Sequence, residues 1–170
     1  MGYMEIALLQ KSAVRIKGKY ASFVVNPTDT TNANAALMLD PQTDYQSEEA
    51  VVLKGAGEYE IGGVKITGLR NDVGVVYSIH IDGMDVLVGT IGVLSAMHQK
   101  LKEHNIVIVH CMEAADAAFL TSLAVNAVLF YGEKAQEVAQ GFEKEKLQQM
   151  NKYSVSLGKL SNEVETILLS

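Results

Sequence analysis

Residues that could do chemistry are few in this chain and seldom adjacent. The side chains that suit a transition metal best are four histidines, His80, His98, His104 and His110, and one cysteine, Cys111. No histidine falls in a His-x-His or HExxH spacing, the patterns that aim two imidazoles at one ion. His110-Cys111 follows an apolar run, at the kind of strand end where α/β scaffolds place sites. With Asp44 or Glu113 the pair could form a metal site. Adjacent residues on extended backbone point to opposite faces, however, so a buried thiol beside a helix-flanking imidazole is the simpler reading. Asp40 and Asp44 could act as general acid and base. Asp40-Pro41 more simply starts a turn. Lys11-Ser12 could pair a base with a nucleophile, but adjacency is poor geometry for that role. Gly55-Ala56-Gly57 lacks the strand-to-helix context of a phosphate loop.

The elements that must position these groups fall into two halves. The first half reads as β: Glu5–Leu9 and Ala13–Lys17 as a hairpin, then Ser22–Val25, Ala36–Leu39 and Val51–Lys54, with a turn-rich loop over Thr28–Ala35. Gly62-Gly63 separates Tyr59–Ile61 from Val64–Thr67. Asp82-Gly83 separates Val75–Ile81 from Met84–Gly89 and is the strongest hairpin signal, because both residues tolerate positive φ. The second half alternates. Ser95–His104 has helical spacing with Ser95 as its N-cap, and His104 sits favourably at its C-terminal end. Ala114–Leu123, Glu133–Gln140 and Glu143–Met150 also read as helical. Ile106–Val109, Ala127–Tyr131 and Val164–Leu169 read as buried strands. His80 belongs to a sheet face by strand alternation. Meandering hairpins followed by alternating helix and strand predict a layered α/β sandwich in one domain, with the sheets inside and the helices outside.

Bulk properties narrow the function. At 170 residues the chain can bury a sizeable core. A net charge of −6 supplies no drive toward nucleic acid or an anionic membrane. One cysteine leaves no internal disulfide framework and fits a reducing cytoplasm. No apolar run reaches membrane-spanning length, and the N-terminus has no secretory leader pattern. Ile6 stands where a myristoylation signal needs Ser or Thr.

The run Gly57-Glu58-Tyr59-Glu60-Ile61-Gly62-Gly63-Val64, continuing through Lys65-Ile66-Thr67-Gly68, resembles a segment of small metallo-β-lactamase-fold proteins of the ascorbate-6-phosphate-lactonase-like branch. The similarity extends along the chain. Ile6–Leu9 and Ala13–Ile16 flank Gln10-Lys11-Ser12 where the family has Gly-His-Ser. Asn26-Pro27 stands for the family's Asp-Pro. The resemblance implies a metallo-β-lactamase-like αββα sandwich and a His-x-His-x-Asp-His metal loop. Here that loop reads Asp40-Pro41-Gln42-Thr43-Asp44-Tyr45. Its three histidines become Asp40, Gln42 and Tyr45, and only Asp44 is retained. Leu69–Gly74 has no histidine where one is implied. Thr90 replaces a metal-binding Asp, Gly132 replaces the last His, and Lys11 stands for another.

A catalytic zinc site needs about three protein ligands and an open position for water. Without the ion nothing lowers the pKa of that water to around 7. The expectation is therefore a pseudo-hydrolase without cofactor or metal, acting as a binding or assembly module. Its partner would be an unknown protein or small molecule, a second copy of the chain included. The alternative is a hydrolase that uses replacement ligands drawn from Asp40, Asp44, His110 and Cys111. Tyr45 and Lys11 are expected to fill the space left by the metal, with Asp44 taking a protein donor within about 3.2 Å.

Overall fold

In the computed structural model, residues 3–10 and 12–170 are described, apart from the side chain of Gln10. Lys11 lies outside the described residues. Strands β1 (Met4–Gln10), β2 (Ala13–Lys17), β3 (Ser22–Val25), β4 (Ala35–Leu37) and β5 (Val51–Leu53) open the chain. Next come β6 (Gly57–Ile61), β7 (Val64–Arg70), β8 (Val75–Ile81) and β9 (Met84–Thr90). The second half holds α1 (Ile91–Met97), β10 (Ile106–His110), β11 (Ala127–Tyr131), α2 (Ala135–Phe142), β12 (Gln148–Met150), β13 (Lys152–Val155) and β14 (Glu165–Leu169). Two sheets result, ordered β13-β1-β2-β3-β4-β5 and β12-β14-β11-β10-β9-β8-β7-β6.

Strand alternation builds the layers. One face of each sheet turns toward the other, and Ile6, Ile16, Phe23, Leu37, Tyr77, Val88, Ile108, Leu129 and Ile167 form the core between them. The opposite face of the larger sheet, through Val76, Leu87, Val107, Val128 and Phe130, packs against Leu94 of α1 and Val138 of α2. On the smaller sheet the outward Ala13 and Val24 pack against Ala33. Both α-helices thus lie on the larger sheet, and the expected second helix layer is reduced to a loop. Within the larger sheet β9, β10, β11 and β14 run parallel. Their C-terminal ends form one rim of the sandwich, and Thr90, His110 and Tyr131 stand in register along it.

Three expectations need correction. The first helix begins at Ile91, not Ser95, and its N-cap is Thr90, whose side chain accepts from the Val93 N–H. Ile91-Gly92-Val93 looks poorly helical in isolation, but β9 runs straight into the helix and buries Ile91 and Val93. Glu143–Met150 is not helical. Glu143 Oε1 accepts from the N–H groups of Glu145 and Lys146, and Gln148–Met150 pairs with β14. Of Ala114–Leu123 only Ala118–Leu123 is helical, as a 3-10 segment.

Candidate functional site

The rim at the C-terminal strand ends is built from both sheets. After β4 the chain leaves the smaller sheet toward Asp40, and two side chains fix that departure. The Leu39 N–H donates to Asn26 Oδ1 at 2.9 Å, with Asn26 held at φ 52°. From the larger sheet, the buried Tyr77 hydroxyl lies 2.9 Å from the carbonyls of both Met38 and Leu53. Burial, followed by the charge of Tyr59, pushes its pKa up, so it remains a donor. The Val75 N–H closes the joint onto Leu39 O at 3.1 Å. The scaffold that delivers the Asp40–Tyr45 loop is therefore firmly held.

The loop spends its own polar groups on itself. Asp40 is exposed, and its Oδ1 accepts from the Gln42 N–H at 2.9 Å, an Asx turn. Gln42 is exposed as well. The Tyr45 N–H donates to Thr43 Oγ1 at 3.2 Å, and the half-buried Tyr45 hydroxyl donates to Asp29 O at 2.8 Å. Asp44 is exposed and has no donor among the described residues. The expected Asp44 partner is absent there, and Tyr45 ties two loops together instead. Asp40 and Asp44 share no hydrogen bond among the described residues. In retrospect the Thr-x-Tyr and Asp-x-Gln spacings were turn signals.

The rim strands end differently. Thr90 Oγ1 takes the Val93 N–H at 3.4 Å as the cap of α1. Gly132 has φ +114°, and a Cβ built on it would lie 2.7 Å from Cys111 O and 3.0 Å from His110 Cδ2. His110 and Cys111 point to opposite faces, as expected for neighbours on a strand. Cys111 packs in the helix-side core, where burial pushes its thiol pKa up to about 12. The His110 ring stacks on Tyr131, with centroids 4.7 Å apart at an interplanar angle of 22°. Both His110 nitrogens and the Tyr131 hydroxyl are buried and have no hydrogen-bond partner among the described residues. Burial lowers the His110 pKa to about 4, so the imidazole is neutral at pH 7.

The remaining histidines have local roles. His80 Nδ1 meets Asp85 Oδ1 at 2.9 Å on the sheet surface. His98 Nδ1 meets Ser95 O at 2.7 Å, and its ring lies beside Phe119. His104 is not a helix terminus. It is buried between Ser78 Oγ and Lys102 O, each 2.8 Å from a ring nitrogen, and burial lowers its pKa.

These donors do not fit a metal of the kind that the resemblance implies. Among the described residues no group of three or more His, Cys, Asp or Glu could hold an ion, including the proposed set Asp40, Asp44, His110 and Cys111. Sequence reading missed Tyr77 and Tyr131, whose hydroxyls sit at the joint and the rim. Their signal was a tyrosine within otherwise apolar buried strands, a polar handle that must be placed.

Comparison with solved structures decides the fold. A candidate zinc-dependent hydrolase of the metallo-β-lactamase superfamily from Thermotoga maritima superposes with a TM-score of 0.72. The match covers 97% of each chain at 16% sequence identity. The fold is that of the metallo-β-lactamases. A candidate metal-dependent hydrolase from Parabacteroides distasonis matches with a TM-score of 0.59, at 12% identity over 99% of this chain and 93% of that one. A metallo hydrolase from Ignicoccus hospitalis matches with a TM-score of 0.58, at 10% identity over 99% and 96%. No protein-family model matches the sequence, and no curated protein matches it. No described helix is long and apolar enough to cross a membrane.

Proposed function

We propose that this metallo-β-lactamase-fold chain is a pseudo-hydrolase of the ascorbate-6-phosphate-lactonase-like branch, working without metal as a binding or assembly module. One observation carries the reading. Every described position where the resemblance implies a ligand is spent on structure or faces solvent. Asp40 makes a turn, Thr90 caps a helix, Tyr45 bridges loops, Gly132 has no room for a side chain, and Gln42 and Asp44 are exposed. Ligands on a fold are separable from the fold itself, and here the fold has outlasted them. The chain's one thiol, buried at Cys111, fits a reducing, cytoplasmic setting.

Elemental analysis of untagged protein, purified without chelators, tests this reading. The expected result is substoichiometric zinc, manganese and iron, with no turnover of phosphodiesters or lactones. Stoichiometric metal accompanied by turnover overturns it in favour of a hydrolase with replacement ligands. The partner in this reading is a protein or small molecule, and a second copy of the chain qualifies. Light scattering over a concentration series tests the last case, and a strict monomer at high micromolar concentration removes it.

A further inference from the structure

At the end of the sandwich opposite His110, the chain crosses from β13 in one sheet to β14 in the other. The crossing leaves a cleft of about 510 Å³. Cavities of about 300–1,000 Å³ are the usual size for small-molecule sites. Tyr3, Tyr153, Val155, Ser156, Lys159 and Glu165 line it. Tyr153 is 5% exposed, and its hydroxyl donates to Glu165 Oε1 at 3.2 Å. Burial first, then the Glu165 charge, raise the Tyr153 pKa, so this hydroxyl keeps its proton and holds the carboxylate in place.

Neither charge of the cleft has an ion-pair partner among the described residues, although Glu165 accepts the Tyr153 hydroxyl. The ion pairs among the described residues are His80–Asp85, Lys146–Glu163 and Lys152–Glu5. Among the described residues the half-buried Glu165 meets no cation and Lys159 meets no carboxylate, although both line one cavity. A cation alone would answer Glu165 but be repelled by Lys159, and an anion alone would meet the reverse. Tyr3, Tyr153 and Val155 add apolar surface to the same cleft.

We propose that this cleft binds a free α-amino acid with an apolar side chain. Its ammonium meets Glu165, its carboxylate meets Lys159, and its side chain lies against the tyrosines and Val155. The proposal goes beyond the metal-free reading and does not depend on it, because the cleft lies at the other end of the parallel strands.

Phenylalanine and leucine titrated into the isotopically labelled full chain test it by NMR, with phenethylamine and 3-phenylpropionate as single-charge controls. Saturable shifts are expected at the amides of Ser154, Val155, Ser156, Lys159 and Glu165. Each single-charge control should bind at least about tenfold more weakly, the scale of one charge-assisted hydrogen bond. Glu165→Gln and Lys159→Met should each weaken phenylalanine binding by at least about tenfold. Thermal melts confirm that the variants fold, and should Glu165→Gln fail to fold, Lys159→Met at its exposed site decides alone. No saturable shift up to about 10 mM, controls that bind as well as the amino acid, or variants that bind undiminished overturn the proposal.

Discussion

Gly132 shows how a backbone can shut out a side chain. Its φ of +114° and the nearby Cys111 carbonyl leave no place for a Cβ. Gly132→Ala should cost about 2–4 kcal/mol, from backbone strain plus overpacking, measured by urea denaturation. Gly132→His, which introduces the residue type that the resemblance implies, should be destabilised at least as much and gain no zinc affinity. His110 gives a pH signature. An unfolded chain protonates this residue near its ordinary 6.5, whereas the folded one resists until about 4. Between these values protons favour the unfolded state, so stability is full above about 6.5 and falls as pH drops toward 4. The His110 contribution is about 3 kcal/mol across that window. His104 acts in the same direction, so His110→Phe should flatten the urea-melt profile only in part. Phe keeps the stacking on Tyr131 and removes two unpartnered nitrogens, so stability at pH 7 should hold or rise. A loss above about 1 kcal/mol at pH 7 would mean that those nitrogens are satisfied in solution. Which residues stand at the positions that the resemblance marks was readable from residue types alone. What each substitute does was not, because Asp44 in solvent and Asp44 in an ion pair read alike in sequence.

Tyr77 connects the elements that deliver the rim. Its hydroxyl answers carbonyls at the ends of β4 and β5 from the opposing sheet. Tyr77→Phe leaves both buried carbonyls without that donor and should cost about 1–3 kcal/mol, read from equilibrium melts. Thr90 is a second joint, where a strand passes directly into a helix. Thr90→Ala should lose about 1 kcal/mol as a cap is removed, while Thr90→Asp should keep wild-type stability because Asp caps as well as Thr. Most strands were legible because local signals and tertiary demands agreed. The Asp82-Gly83 hairpin is the clearest case, with φ of 51° and 80° at its two turn residues. Glu143–Met150 was misread because its charge pattern suits a helix, while pairing with β14 decides its structure. Lys152–Val155 went unread as a strand, since four residues with Tyr153 and Val155 inward give too short an alternation to stand out. The amino-acid cleft lies between that segment and β14, so it was invisible in sequence for the same reason.

The whole molecule has the metallo-β-lactamase fold, and its rim gathers no group of three metal-binding side chains among the described residues. A metal that bound only the folded state would raise stability by about 2.7 kcal/mol at 100 times its Kd. Thermal melts with zinc, manganese and magnesium in excess should therefore show no upward shift, and a shift of that size would mean a site built from other donors. The sequestered Cys111 offers a measure of motion. Its thiol is fully enclosed and held protonated up to about pH 12, so a disulfide reagent cannot attack the closed state. Labelling must wait for the larger sheet to part from its helices. With one such sulfur in the chain, the labelling rate at neutral pH becomes a clock for that opening. A ligand in the distant cleft that slowed the clock would be felt through the entire sandwich.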